Sequence, residues 1–378
     1  MRVLAYPVVL LAVMGLGQVK AAIFTGLGHL PGHTRSVAND VSPDGTIIVG
    51  TSGPASQQSG ELSGNKAFQW TIGEGMTQVG GFASSHGNAV SSNGVFVGSY
   101  EYASTTTGQR YILHKAADLN SGAIPSGGNN SVAHDVSADG TVKIGVKRFT
   151  PSPDGPRGFR NNIELKGIDG REAEAYGISG DGQVVVGNSL RSGSEGTWTE
   201  ATIWSGDWSG TSKLGQGLGR LGNEDSAALA ISSDGQTIVG ESGRSAVRFT
   251  GGPILELGSI SVTGDSKANA VSADGSIIVG QSGNYAFIWD EENGMRDLSE
   301  VLTSDYGLNL DGWDLSRATG ISDDGETIIG YGLNPFGGTE AWVANVTVVP
   351  EPSSTALIAF VALGLIARRR TRHRNGIC

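Results

Sequence analysis

Any chemistry in this chain would have to start from its histidines and acids, and their arrangement offers little. The histidines are His29, His33, His86, His114, His134 and His373. His29 and His33 stand four apart, which on a helix would place two ligands on one face. Pro31 and Gly32 lie between them, so no helix holds the pair. No third ligand follows at a zinc-site spacing, and neither a metal nor a cofactor is expected. Seven copies of one Val/Ile-Ser-x-Asp/Asn-Gly motif invite a calcium reading. A calcium loop of the EF-hand kind needs carboxylates at alternate positions before its glycine. Here a serine stands two before the acid in every copy. Asp44, Asp139, Asp181, Asp234, Asp274 and Asp324 are therefore read as turn residues that cap their own backbone, with Asn93 in the same place.

Catalytic signatures are missing as well. The sequence contains no Gly-x-Ser-x-Gly, no phosphate-binding Gly-x-x-x-x-Gly-Lys and no His-Glu-x-x-His. Paired carboxylates of a glycosidase leave no signature when acids are scattered over loops. No catalytic residue is assigned, and a secreted hydrolase or lyase acting on polysaccharide stands as the alternative to a non-catalytic role. Trp204, Trp289 and Trp342 fall in regular aromatic-bearing strands and read as core. Trp198, Trp208 and Trp313 fall in loops and are the candidates for stacking on a ligand. A formal charge of −11 argues against nucleic acid, which selects basic surfaces.

The elements that would position these residues come from one repeat. An apolar β-branched residue and a serine precede Asp-Gly, and an apolar stretch then ends in glycine. The copies start at Val41, Val90, Val136, Ile178, Ile231, Val271 and Ile321, stepping by about 47 residues, a propeller-blade period. A small residue stands three before each start: Ala38, Gly87, Ala133, Ala175, Ala228, Ala268 and Ala318. Each unit reads as four strands. Strand one ends at the Val/Ile-Ser pair, and Asp-Gly turns the chain. Strand two is continuously apolar, as in Thr46-Ile47-Ile48-Val49, and its closing glycine marks a bend or a close backbone approach. Strand three carries an aromatic, as in Ala67-Phe68-Gln69-Trp70, Ala286-Phe287-Ile288-Trp289 or Arg110-Tyr111-Ile112-Leu113. Strand four is short.

The seventh unit stops after its third strand, and Ile23-Phe24-Thr25-Gly26-Leu27-Gly28 looks like a fourth strand without partners. The expected fold is therefore all-β: a seven-bladed β-propeller of four-stranded blades, closed by the N-terminal strand. Long insertions occur at residues 53–64, 100–108, 148–156, 189–199 and 303–314, and such loops on a rigid scaffold are where binding usually resides. Asp297-Leu298-Ser299-Glu300 reads as a capping box opening one short helix.

The two ends read as addresses. Arg2, an apolar run and Val19-Lys20-Ala21 make a secretory signal peptide over residues 1–21, cut after Ala21. Residues 22–347 hold the repeats. Residues 348–378 hold Val349-Pro350-Glu351-Pro352-Ser353, an apolar segment from Ala356 to Ala367, and Arg368, Arg369 and Arg370. The cluster would stay cytoplasmic, so the tail would hold the protein briefly at the inner membrane with its body outside. This end resembles the PEP-CTERM sorting signal. The resemblance implies an exosortase that recognises Pro350, Glu351 and Pro352 and removes the tail, and a bacterium that makes exopolysaccharide. Leu27-Gly28-His29-Leu30-Pro31-Gly32, the Val-Ser-x-Asp-Gly stretch, Ala67-Phe68-Gln69-Trp70 and Gly294-Met295-Arg296-Asp297-Leu298 resemble the HAF repeat of extracellular bacterial proteins. That likeness implies an extracellular location and an architecture, and no activity. The expected role is a scaffold, secreted or at the cell surface, that binds or organises exopolysaccharide.

Overall fold

The computed structural model describes residues 19–54, 63–106, 109–123, 130–148, 155–194, 196–261 and 265–349. Seven sheets follow one another along the chain, each with four antiparallel strands in the spatial order one, two, three, four. The propeller occupies Ala22–Asn345. Blade 1 shows the pattern with Arg35–Val41, Ile48–Gly53, Lys66–Thr71 and Gly75–Gln78. Blade 2 begins at Ser85–Val90 and blade 3 at Ser131–Val136. Blades 4, 5 and 6 begin at Ala173–Ile178, Ser226–Ile231 and Ser266–Val271. Blade 7 begins at Asp314–Ile321 and ends with the N-terminal strand Val19–Gly26 beside Thr339–Val349.

The closing glycine of each repeat has a single cause. Strand one carries a β-bulge in every blade, between Ala38 and Asp40 in blade 1 and between Ala228 and Ala230 in blade 5. The bulge pushes the carbonyl before the small residue against strand two. A Cβ on Gly50 would lie 2.1 Å from the Val37 oxygen, and one on Gly240 would lie 2.1 Å from the Ala227 oxygen. Only glycine leaves that space. The extra residue lets two consecutive side chains approach the central channel instead of one.

The Val/Ile-Ser-x-Asp-Gly turns are built alike. The serine hydroxyl donates to the Asp or Asn Oδ1 in all seven copies, at 2.5–2.8 Å. The same hydroxyl accepts from the N–H that opens strand two, at 2.9–3.0 Å. The aspartates are thus turn acceptors, as read from sequence. The Ser137 hydroxyl and the Thr141 N–H hold the Asp139 carboxyl below the ordinary carboxylate range.

Neighbouring blades are joined through the turns. The N–H of Ser92 donates to the Ala138 carbonyl, Ala138 to Gly180, Gly180 to Ser233, Asp234 to Ala273, Ala273 to Asp323, and Asp323 to Pro43. Pro43 has no N–H to pass on to Ser92, so this circle of backbone bonds opens between blades 1 and 2. A second set of bonds uses a buried serine at the start of strand one. It accepts from the N–H of strand three in the preceding blade: Ala341 to Ser36, Ala67 to Ser85, Ala116 to Ser131, Ala201 to Ser226 and Ala246 to Ser266, at 2.8–3.0 Å. The junction between blades 7 and 1 is made like four of the other six.

Closure by the N-terminus is therefore as expected from sequence, with one change in detail. Ile23 faces solvent, whereas Leu27 and Leu30 are buried with Ala341 and Val343 of blade 7. The Leu27 N–H donates to the Ala341 carbonyl at 2.8 Å. Two further strand readings need correction. Blade 3 has five strands, because Ser212–Leu214 pairs in parallel with Ile163–Lys166. In blade 2, Arg110-Tyr111-Ile112-Leu113 does not hold the aromatic position of strand three. Gly98 pairs with Ala117, so Ala116 and Ala117 stand there, and residues 110–113 belong to an outward extension of the hairpin. Trp204, Trp289 and Trp342 are buried in strand three as read. The helix Leu298–Ser304 is capped by Asp297, whose side chain accepts from the Ser299 N–H.

Candidate functional site

The topology sorts the loops onto two faces. Strand one begins at one end of the channel and finishes at the Asp-Gly turn at the other. Every connection from strand two to strand three therefore returns to the end where strand one begins. The insertions at residues 53–64, 100–108, 148–156 and 189–199 are all such connections, and residues 303–314 lead into strand one of blade 7. All five stand on one face. Residues 55–62, 107, 108, 149–154 and 195 lie outside the described residues.

Between the two faces the bulges line the channel, in a cavity of about 200 Å³ that reaches the turn residues Pro43, Ala138, Gly180, Ser233 and Asp323. The bulged side chain reaches the carbonyl of the small residue in the next blade. Asn39 donates to Gly87, Asn88 to Ala133, His134 Nδ1 to Ala175, Asn269 to Ala318 and Thr319 to Ala38, at 2.6–2.8 Å. Tyr176 and Leu229 occupy the equivalent places in blades 4 and 5. Tyr176 instead donates its hydroxyl to Glu174. The residue after the bulge is Asp40 in blade 1 and Asp135 in blade 3, and both are half-buried in the channel wall. Asp40 accepts from the Val90 N–H and Asp135 from the Ile178 N–H, each at 2.9 Å. Burial raises the Asp40 pKa to about 8, with the Asp135 charge adding to it. Burial also raises Asp135, to about 6.

Beside the channel, still on the insertion face, a second cavity of about 270 Å³ lies between blades 1, 2 and 3. It shares Asn39 and Asn88 with the channel and is also lined by His86, His114 and Arg148. His86 on strand one, Glu101 on strand two and His114 on strand three of blade 2 have their ligand atoms within 4.8 Å of one another. His86 Nε2 donates to Glu101 Oε1 at 2.9 Å, and the Ser63 N–H donates to Glu101 Oε2. Burial pushes the Glu101 carboxyl up, but the Ser63 N–H and the His86 ring outweigh it and bring its pKa down to about 2. Burial and the neighbouring His86 lower the pKa of His114. Arg148 is paired with Glu174 at 3.1 Å.

The sequence singled out none of these three residues for a ligand role. The histidines it did weigh are apart from them: His29 is exposed, and His33 Nδ1 lies 3.0 Å from the Ser52 hydroxyl. The stacking candidates are half-buried and distributed over both faces. Trp198 stands in the strand Gly196–Trp204 and not in a loop as read from sequence, on the insertion face with the Arg220 guanidinium 4.3 Å from its ring. Trp313 is on the same face, edge-to-face with Phe24 of the closing strand at 5.3 Å. Trp208 is on the turn face, where Arg160 lies 4.3 Å from its ring and its Nε1 donates to the Gln183 carbonyl.

Among the described residues no helix is long and apolar enough to cross a membrane. The signal-peptide segment up to residue 18, together with Pro350, Glu351, Pro352, Arg368, Arg369 and Arg370, lies outside the described residues. Ala21 falls within the strand Val19–Gly26. A comparison with curated proteins returned no match. Residues 348–370 match the PEP-CTERM protein-sorting motif, which marks the chain as an exported protein, at the cell surface or beyond it, that is processed by exosortase.

Proposed function

We propose that this protein is a non-catalytic propeller scaffold that binds extracellular polymer, exopolysaccharide first, through its insertion face. The observation that carries this reading is the separation of the two faces. One is tiled by seven nearly identical turns, and the other gathers five dissimilar insertions around the channel mouth. Variation concentrated on one face of a repeat scaffold, with blade 4's connection through Trp208 the exception on the turn face, is where partner-specific contacts belong. Trp198 supplies a flat ring there, already oriented by Arg220. The reading includes removal of residues 1–21 after Ala21, cleavage of the tail near Pro350-Glu351-Pro352 after a brief stay at the inner membrane, and the HAF-repeat likeness of residues 23–346.

The test is retention of the processed protein on immobilised glycans, including exopolysaccharide from the producing cells, with the eluate checked for shortened products. Retention without products, weakened by Trp198→Ala but not by Trp208→Ala, is expected. Release of oligosaccharides would replace the scaffold with the hydrolase or lyase alternative, and failure to bind any glycan would leave a structural spacer.

A further inference from the structure

We propose that His86, Glu101 and His114 form a binding site for one borderline divalent transition-metal ion, with Zn²⁺ the fitting probe. The donor set is two imidazoles and one carboxylate, a combination zinc takes with a fourth position left to water or another ligand. Three adjacent strands of one blade hold it. Glu101 and His114 are direct cross-strand partners, and His86 pairs with Ser99, two residues from Glu101 and so on the same face. Ligands on paired strands are fixed more firmly than ligands on loops.

The surroundings match what a metal requires of its ligands. Glu101 Oε2 is held by the Ser63 N–H, which orients the carboxylate and leaves Oε1 toward His86. Such outer hydrogen bonds position metal ligands generally. The contact between His86 Nε2 and Glu101 Oε1 at 2.9 Å is near the separation of two ligands on one tetrahedral ion. With bonds of about 2.0–2.1 Å, those atoms would part by only a few tenths of an ångström. The ion would take the place of the proton the two atoms now share. Arg148, which lines the same cavity, is paired with Glu174, so it adds little net charge against the ion. The adjoining cavity leaves room for water at the open position. This inference does not depend on polymer binding.

The experiment is titration of the metal-stripped full chain with Zn²⁺ by calorimetry and with Co²⁺ by visible absorption. One equivalent per chain is expected, with cobalt bands of a four- or five-coordinate site. His114→Ala and Glu101→Gln should each weaken binding more than about a hundredfold, while His29→Ala binds as before. Should a variant fail to fold, modification of the unaltered chain by diethyl pyrocarbonate decides: Zn²⁺ must protect His86 and His114 and leave His29 reactive. No uptake, uptake indifferent to His114→Ala in folded protein, or protection of other histidines alone would overturn the site.

Discussion

The two faces of this propeller obey different rules. On the turn face the same serine, acid and glycine recur in nearly every blade with the same hydrogen bonds, and six backbone bonds pass from blade to blade. On the insertion face blades 5 and 6 share a two-residue hairpin, at Gly243 and Gly283, and the other blades differ. Blade 2 extends a long hairpin of Phe96–Thr106 and Gln109–Asp118, blade 4 another of Val185–Gly193 and Gly196–Trp204, and blade 7 is preceded by a helix. What recurs along the chain is therefore geometry. The residues with chemical potential stand where recurrence stops.

The strongest way to break this division is to remove the strand that closes the ring. Deleting residues 22–30 removes the pairing with Thr339–Val349 and the burial of Leu27 and Leu30. At roughly 1.5–3 kcal/mol per large buried side chain, the loss is on the order of 5 kcal/mol. Thermal unfolding should shift far down, and light scattering should report association through the opened edge. An unchanged melting temperature in a monomeric sample would mean that the ring does not need its clasp.

Glycine substitutions sharpen the contrast at smaller scale. Gly240→Ala drives a Cβ against the Ala227 carbonyl at 2.1 Å, where the backbone can yield only by undoing the bulge. A destabilisation of about 3 kcal/mol is expected. Gly338→Ala, on the insertion face, meets only the Asn334 side chain at 3.5 Å and should cost less than about 0.5 kcal/mol. Denaturant midpoints of the two variants measure this; equal shifts would remove the distinction between the recurrent strand geometry and the variable insertion face.

The smallest effect concerns the channel wall between them. Asp40 has its pKa raised from 3.8 to about 8, so the folded state holds its proton more tightly than the unfolded chain. Stability from this group is full below the unfolded value and is lost as pH rises through about 8. Asp40→Asn keeps an oxygen for the Val90 N–H and removes the charge. It should stabilise the protein at alkaline pH by on the order of 2 kcal/mol and change little near pH 4. Melting curves of both proteins across that interval test the sign; a gain confined to acid pH would refute it.

Much of the scaffold was legible because each of its devices is local in sequence. Asp-Gly fixed the turns, the closing glycine fixed a close approach, and an orphan strand at residues 23–28 met an incomplete last blade. The site beside the channel was hidden by the bulge. Counting back from the Asn93-Gly94 turn without a bulge sets His86 opposite Tyr100, on the other face from Glu101. The real register sets it opposite Ser99. One inserted residue exchanges the faces of a strand, so His86, Glu101 and His114 read as unrelated until the bulge is known. The same lengthened hairpin misplaced the strand-three aromatic of blade 2. The tryptophans chosen as loop residues were also harder to judge, since a sequence does not show that Trp313 meets Phe24 from the far end of the chain.

The clasp also sets a schedule. Gly28 donates to Glu340 across 312 positions, so the last blade is assembled from the earliest and latest parts of the propeller to leave the ribosome. At about 5–20 residues per second, its first strand waits roughly 15–60 seconds for a neighbour. Throughout that interval the closing segment from residue 22 lacks the strand it pairs with in the finished ring. The sorting motif begins at residue 348, within the strand that ends the wait. Completion of the ring and presentation of the sorting signal are thus nearly one event in the life of the chain.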